Sequence, residues 1–222
     1  MATPKIVIIN YGAGNLRSVA KAFEHIGYPP VVTTDPKVVT AADAVVLPGV
    51  GAALDTMTNL HARHMVEAIN DMVAKDRPFF GVCIGLQVLF EASEEGGAEC
   101  LGVLRGRVRR LSTNLKVPHM GWNQVEITCE HPLFSGIPNG SNFYFVHSYC
   151  AEPADRSVVL GRTEYGEKFC SVVSRGNLVG TQFHPEKSGA IGLQVYANFV
   201  QRIVGARPVS QRTMGAQARR AG

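Results

Sequence analysis

The chain has 222 residues, 45% of them hydrophobic and 18% charged, a balance that suits a folded globular protein and excludes disordered and fibrous classes. Its formal net charge of +4 sits at one end: Arg207, Arg212, Arg219 and Arg220 stand in residues 206–222 without an acid, so residues 1–205 are neutral. A basic face for nucleic acid is therefore not indicated.

The opening "MATPKIVIIN" is a poor signal peptide, and no apolar run approaches the ~18 residues of a membrane span, so a cytoplasmic location is expected. "KIVIIN" is a continuous apolar run of the kind that forms a strand buried on both faces. The turn "YGAGN" follows, and then Leu16, Val19, Ala20, Phe23 and Ile26 fall at helical spacing. "PPVVTT" and "ADAVVLPG" read as short strands and residues 52–75 as mostly helical. "RPFFGV" is a fourth strand leading into a helix from Ile84 to about Glu94. Such alternation predicts a mostly parallel central sheet with helices on both faces.

Beyond it, "QVEI", "NFYFVHSY", "SVVLGRT", "FCSVVSRG" and "LVGTQF" are strand-like, so antiparallel pairs extend or flank the sheet. A last helix carries Ile191, Val195, Phe199 and Ile203 on one face. The predicted organisation is an α/β domain over 1–205 and a basic tail over 206–222, whose Gly, Ala, Gln and Pro content predicts disorder. The five cysteines form no Cys-x-x-Cys pair, which argues against disulfides and thiolate metal sites. Cys100, Cys129, Cys150 and Cys170 are expected to be small buried hydrophobes.

Cys83 is different. In Gly81-Val82-Cys83-Ile84-Gly85 a strand turns sharply into a helix around Gly-x-nucleophile-x-Gly, the elbow of serine hydrolases with a thiol in place of the hydroxyl. Glycines suit a turn crowded by neighbouring chains, and a sulfur at the first turn of a helix is favoured as thiolate. "GTQFHPEKSG" offers a base: Pro185 keeps His184 extended, and residues two apart then share a side. Glu186 can accept from one imidazole nitrogen while the other faces Cys83. No third ligand stands at a metal-site spacing, and neither a Walker loop nor a dinucleotide fingerprint occurs, so no metal or cofactor is expected. For an oxyanion, "LPGVGA" supplies Gly49 and Val50, and the Ile84 amide follows from the elbow.

In this order, "LPGVGA", "GVCIGLQVLFE" and "GTQFHPEKSG" resemble the class I glutamine amidotransferase family, over roughly residues 5–204. The resemblance implies a flavodoxin-like α/β fold, a Cys83–His184–Glu186 triad and hydrolysis of L-glutamine through a cysteine thioester. It implies further that Gln87 contacts glutamine, while Gly51 and the backbone of Ser148 and Tyr149 hold its amino-acid end. "INYGAGNLRSVAKAFE", "VPHMGWNQV" and "FYFVHSY" resemble the branch that serves imidazole glycerol phosphate synthase in histidine biosynthesis. That branch implies a (β/α)8 barrel cyclase partner in a heterodimer, with Tyr144 and Lys187 at the shared face and Met120 and Trp122 near it. Ile84 and Leu86 stand where similar aliphatic residues are usual, and the tail lies outside the pattern. Three rival readings remain: a glutaminase serving a pyridoxal phosphate or anthranilate synthase, a cysteine-elbow peptidase or esterase, and a non-catalytic subunit.

Overall fold

The computed structural model describes residues 3–12 and 15–207. Strands β1 (Ile6–Ile9), β2 (Val31–Thr33), β3 (Ala44–Leu47) and β4 (Phe79–Val82) are interleaved with helices α1 (Leu16–His25), α2 (Pro36–Thr40), α3 (Ala53–Ala62) and α4 (Met65–Ala74). The single turn α5 (Ile84–Gln87) follows β4. Then come β5 (Ala92–Ser93), β6 (Ala98–Glu99), β7 (Gly106–Arg110), β8 (His119–Gln124), β9 (Glu126–Ile127), β10 (Asn142–His147), β11 (Tyr149–Pro153), β12 (Val159–Glu164), β13 (Lys168–Arg175) and β14 (Leu178–Thr181). Helix α6 (Gly189–Asn198) continues into one π turn, Phe199–Ile203.

The main sheet runs β2-β1-β3-β4-β14-β13-β11-β7-β5-β6, and β12 pairs with both β13 and β9. Pairs β1/β2, β1/β3, β3/β4 and β4/β14 are parallel. Pairs β13/β14, β11/β13 and β7/β11 are antiparallel, so they extend the parallel half. A separate antiparallel ribbon, β8/β10, flanks it.

Strand periodicity explains the layering. Ile6, Ile8, Ala44, Val46, Phe80 and Val82 pack into one core with Phe23 of α1 and Val195 and Tyr196 of α6. The alternate residues Val7, Ile9, Val45, Leu47 and Phe79 pack into a second core with Met57 and Leu60 of α3 and Ile69 and Met72 of α4. Both faces of these strands are therefore covered, which is why their sequences are apolar throughout.

Several boundaries differ from the sequence reading. The helix expected to reach Glu94 stops at Gln87. Continuing it would require the carbonyls of Val88, Leu89 and Phe90, but these accept from the amides of Leu101, Leu104 and Gly102 at 2.8–2.9 Å. Helix α2 was unforeseen, although "DPK" is a start signal: Asp35 accepts from the Lys37 amide at 2.8 Å and Pro36 occupies the first turn. "NFYFVHSY" divides at Ser148, where the chain leaves the ribbon as β10 and enters the main sheet as β11. "QVEI" likewise divides between β8 and β9.

The five cysteines are unpaired, but they are not uniformly buried. Cys150 and Cys170 are buried small hydrophobes whose thiols burial pushes up to about 12, whereas Cys100 is half-buried and Cys129 exposed. The first residues assigned to the tail are tied to the body: the Ala206 amide donates to Val200, and Tyr28 donates to the Arg207 carbonyl at 2.6 Å. Arg212, Arg219 and Arg220 lie outside the described residues. No described helix is long and apolar enough to cross a membrane.

Candidate active site

Cys83 sits where the central strand β4 breaks into α5, with φ 54° and ψ −108°, a conformation that costs a non-glycine residue about 1–3 kcal/mol. Neighbours over-determine the turn. A Cβ on Gly85 would stand 1.9 Å from the Leu47 carbonyl oxygen of β3, and one on Gly81 would stand 2.5 Å from the Gly85 carbonyl oxygen. The Cys83 amide is anchored to the Thr181 carbonyl at 2.7 Å. The backbone strain thus falls on the cysteine, and the two glycines are needed for close approach.

His184 follows β14, the strand paired with β4, so the sheet brings the end of one motif beside the other. Its amide donates to the Tyr144 carbonyl at 2.9 Å, and Nδ1 meets Glu186 Oε1 at 2.8 Å, as the i, i+2 spacing predicts. The Glu186 side chain has no exposure, and a buried carboxylate requires partners. Asn15 Nδ2 donates to Oε1 at 2.5 Å and Tyr196 Oη donates to Oε2 at 3.2 Å. Burial and the Glu186 charge hold the Tyr196 hydroxyl far above its ordinary value, so it remains a donor.

Burial disfavours charge on His184, but the Cys83 sulfur and the Glu186 carboxylate outweigh it and raise the imidazole from 6.5 to about 10. Nε2, the nitrogen not held by Glu186, is buried and makes no hydrogen bond of ordinary geometry to a described residue. The arrangement is a thiol, an imidazole with one open nitrogen and a carboxylate that orients the ring, the set that nucleophilic catalysis requires.

A cavity of about 360 Å³ exposes this chemistry. Cys83, His184 and Gln87 line it, together with Val50, Gly51, Ile84, Ser148, Tyr149 and Lys187. Neither the Val50 nor the Ile84 amide donates to another described residue, so both are available to an oxyanion. Gly49 does not line the cavity: it is buried, and a Cβ there would meet Ile84 Cγ2 at 1.8 Å and Tyr11 Oη at 2.3 Å. The freedom expected of Gly49 and Gly51 therefore belongs to Gly51, which is exposed with φ 112°. Gln87 Nε2 donates to the Tyr149 carbonyl at 2.9 Å.

Met120 and Trp122 are 63% and 58% exposed, so they do not fill the core. On the ribbon Trp122 lies directly opposite Tyr144, with ring centroids 6.1 Å apart, and Lys187 Nζ lies 5.8 Å from the Tyr144 ring centroid. The four residues make one apolar and cationic patch at the cavity's edge. A wider groove of about 970 Å³ beside His131 and Arg202 contains none of the triad. Among the described residues no His, Cys, Asp or Glu cluster could hold a metal.

Sequence reasoning missed Asn15, Tyr196, Gln182 and His147. Asn15 and Gln182 stood inside quoted motifs, but only folding reveals what each side chain touches. Tyr196 carried no signal beyond helical spacing.

The family model for "Glutamine amidotransferase class-I" matches residues 7–203, and the chain belongs to that family. Among curated proteins it is 52% identical over 201 residues to "Imidazole glycerol phosphate synthase subunit HisH" of Dehalococcoides mccartyi (strain CBDB1), covering 90% of this chain and 98% of the relative. It is 53% identical over 195 residues to the protein of the same name from Moorella thermoacetica, covering 87% and 93%. A solved glutamine amidotransferase superposes with a TM-score of 0.72 at 18% identity, over 90% of this chain and 99% of that one, which bears on the fold alone.

Proposed function

We propose that the chain is the glutaminase subunit of an imidazole glycerol phosphate synthase, acting in L-histidine biosynthesis with a (β/α)8 barrel cyclase as its partner. The observation that carries the reading is the buried Glu186–His184 pair with an open nitrogen, sharing one small cavity with Cys83. Identity near 50% to the named synthase subunits over about nine-tenths of the chain supports this particular synthase over the pyridoxal phosphate and anthranilate alternatives.

In the reaction, the Cys83 sulfur attacks the side-chain carbonyl carbon of glutamine, and the oxyanion takes hydrogen bonds from the amides of Val50 and Ile84. His184 protonates the leaving nitrogen, the C–N bond breaks, and ammonia departs from a thioester. Water then attacks, losing a proton to His184, and glutamate leaves as the sulfur recovers its electron pair. Gln87 contacts the substrate, and Gly51 with the backbone of Ser148 and Tyr149 holds its amino-acid end.

Free ammonia is protonated in neutral water and lost as a nucleophile, so it must pass directly to the partner. The patch of exposed Met120 and Trp122 with half-buried Tyr144, beside Lys187, is the docking face, and Lys187 gates passage by pairing with an acid on the cyclase. Docking brings the Val50 amide into line with the oxyanion, so the isolated chain works slowly. Glutamine turnover with and without the ligand-loaded cyclase tests this: a large rise is expected, and equal rates would end the proposal.

A further inference from the structure

The polar groups behind the triad form one connected path. Asn123 lies in β8, on the ribbon that presents Met120 and Trp122. Its oxygen accepts from the Gln124 amide at 2.8 Å, so its nitrogen is the end that approaches His119 Nε2 at 3.2 Å and donates to the Glu164 carbonyl at 2.9 Å. His119 and His147 face one another across the ribbon, with Nδ1 of the first 3.0 Å from Nε2 of the second. His147 Nδ1 in turn lies 2.9 Å from the Tyr149 carbonyl oxygen.

Chemistry fixes the direction of every bond. A carbonyl only accepts, so His147 carries its proton on Nδ1 and accepts at Nε2. His119 must then donate from Nδ1 and accept from Asn123 at Nε2. Both rings must be neutral, and burial lowers them to about 4 for His119 and about 3 for His147.

From Tyr149 the path continues inward. The same carbonyl accepts from Gln87 Nε2 at 2.9 Å, and the second proton of that nitrogen goes to Gln182 Oε1 at 3.1 Å. With its oxygen occupied, Gln182 turns its nitrogen to Cys83 Sγ, 3.6 Å away. Gln182 has no exposure, and its two amide ends are nearly the same shape. Hydrogen bonding, not packing, therefore decides which end meets the sulfur.

We propose that Gln182 is a catalytic donor to the Cys83 sulfur, oriented by Gln87, and that the hydrogen bonds from Asn123 on the docking ribbon through His119 and His147 fix the Tyr149 carbonyl to which Gln87 also donates. The proposal rests on the reading of Cys83 as nucleophile. The Gln182 N–H lies at the sulfur while it holds its electron pair. It is released as that pair becomes the C–S bond of the thioester, and is engaged again when hydrolysis returns the pair. Were Gln182 to turn over, its oxygen would face the sulfur's lone pairs and repel them.

Two rates test the idea. Gln182→Met keeps the length and removes the donor. It is expected to slow alkylation of Cys83 by iodoacetamide about tenfold and to lower kcat with the cyclase by about 10–100-fold, with KM nearly unchanged, as loss of a hydrogen bond to a charged group implies. Gln182→Glu, which sets an acceptor against the sulfur, must slow alkylation further and serves if the Met variant does not fold. Asn123→Ala is expected to lower the same rates several-fold, and combined with Gln182→Met to add nothing. Parental alkylation in a folded Gln182 variant would overturn the donor role, and full additivity would overturn the chain. Alkylation requires neither glutamine nor partner, so these results stand apart from the glutaminase reading, which fails if the unmodified pair releases no ammonia.

Discussion

The molecule buries imidazoles in two neighbouring regions, and they respond in opposite ways. Beneath the ribbon, His119 and His147 contact aromatic rings and each other, no carboxylate among the described residues pairs with them, and burial drives them down to about 4 and about 3. At the end of β14, His184 is as deeply enclosed, but it lies between the Glu186 carboxylate and the Cys83 sulfur and rises to about 10. Burial sets the cost of charging a ring, and the neighbours decide whether that cost is met. The first pair is thus built to transmit neutral, directional hydrogen bonds, and the second to hold and release a proton.

The contrast can be broken most severely at Glu186. Glu186→Gln keeps the shape but removes the charge and leaves the wrong partner for Nδ1–H, so kcat for glutamine hydrolysis should fall on the order of 10³-fold with KM little altered. The same variant should change alkaline stability. His184 is raised in the fold, so its contribution is fully present below about 6.5 and is lost as pH climbs through about 10. Thermal melts of the parent should weaken across that range, and those of Glu186→Gln should weaken earlier.

A smaller effect belongs to the residues that hold Glu186. Asn15→Ala removes a donor to a buried carboxylate, and about 1.5–3 kcal/mol is expected from such a bond, or roughly tenfold or more in kcat. Tyr196→Phe should cost less, because its bond is longer at 3.2 Å. If both variants matched the parent, Glu186 would be fixed by His184 alone.

The smallest effect sharpens the other side of the comparison. His119 and His147 are lowered in the fold, so their share of stability is present above about 6.5 and is lost as pH falls through about 4. The melting temperature should drop by a few degrees over that range, and His147→Gln should flatten the slope. An unchanged slope would mean that the pair is not the acid-sensitive element.

The fold's parallel half was legible because its strands are buried on both faces and their runs are unbroken, as in "KIVIIN" and "AVVL". Cys83, His184 and Glu186 were legible because local spacing constrains them: Gly-x-Cys-x-Gly has few structural uses, and His-Pro-Glu fixes its own geometry. What escaped notice depends on contacts distant in sequence. Asn15 reaches Glu186 across 171 positions, and Gln182 reaches Cys83 across 99. The overlong helix after Cys83 failed for the same reason: the carbonyls of Val88, Leu89 and Phe90 are claimed by a returning loop. Ser148 gave no local warning that one apolar run would serve two sheets.

Cys83 is expected to become acylated by glutamine. Rapid acid quenching of the chain during turnover with its cyclase, followed by mass analysis of its peptides, should find one glutamyl group on the peptide that carries Cys83, absent from Cys83→Ala. A Cys83 peptide that stays unmodified while glutamate accumulates, or an adduct on any other residue, would rule out Cys83 as the nucleophile.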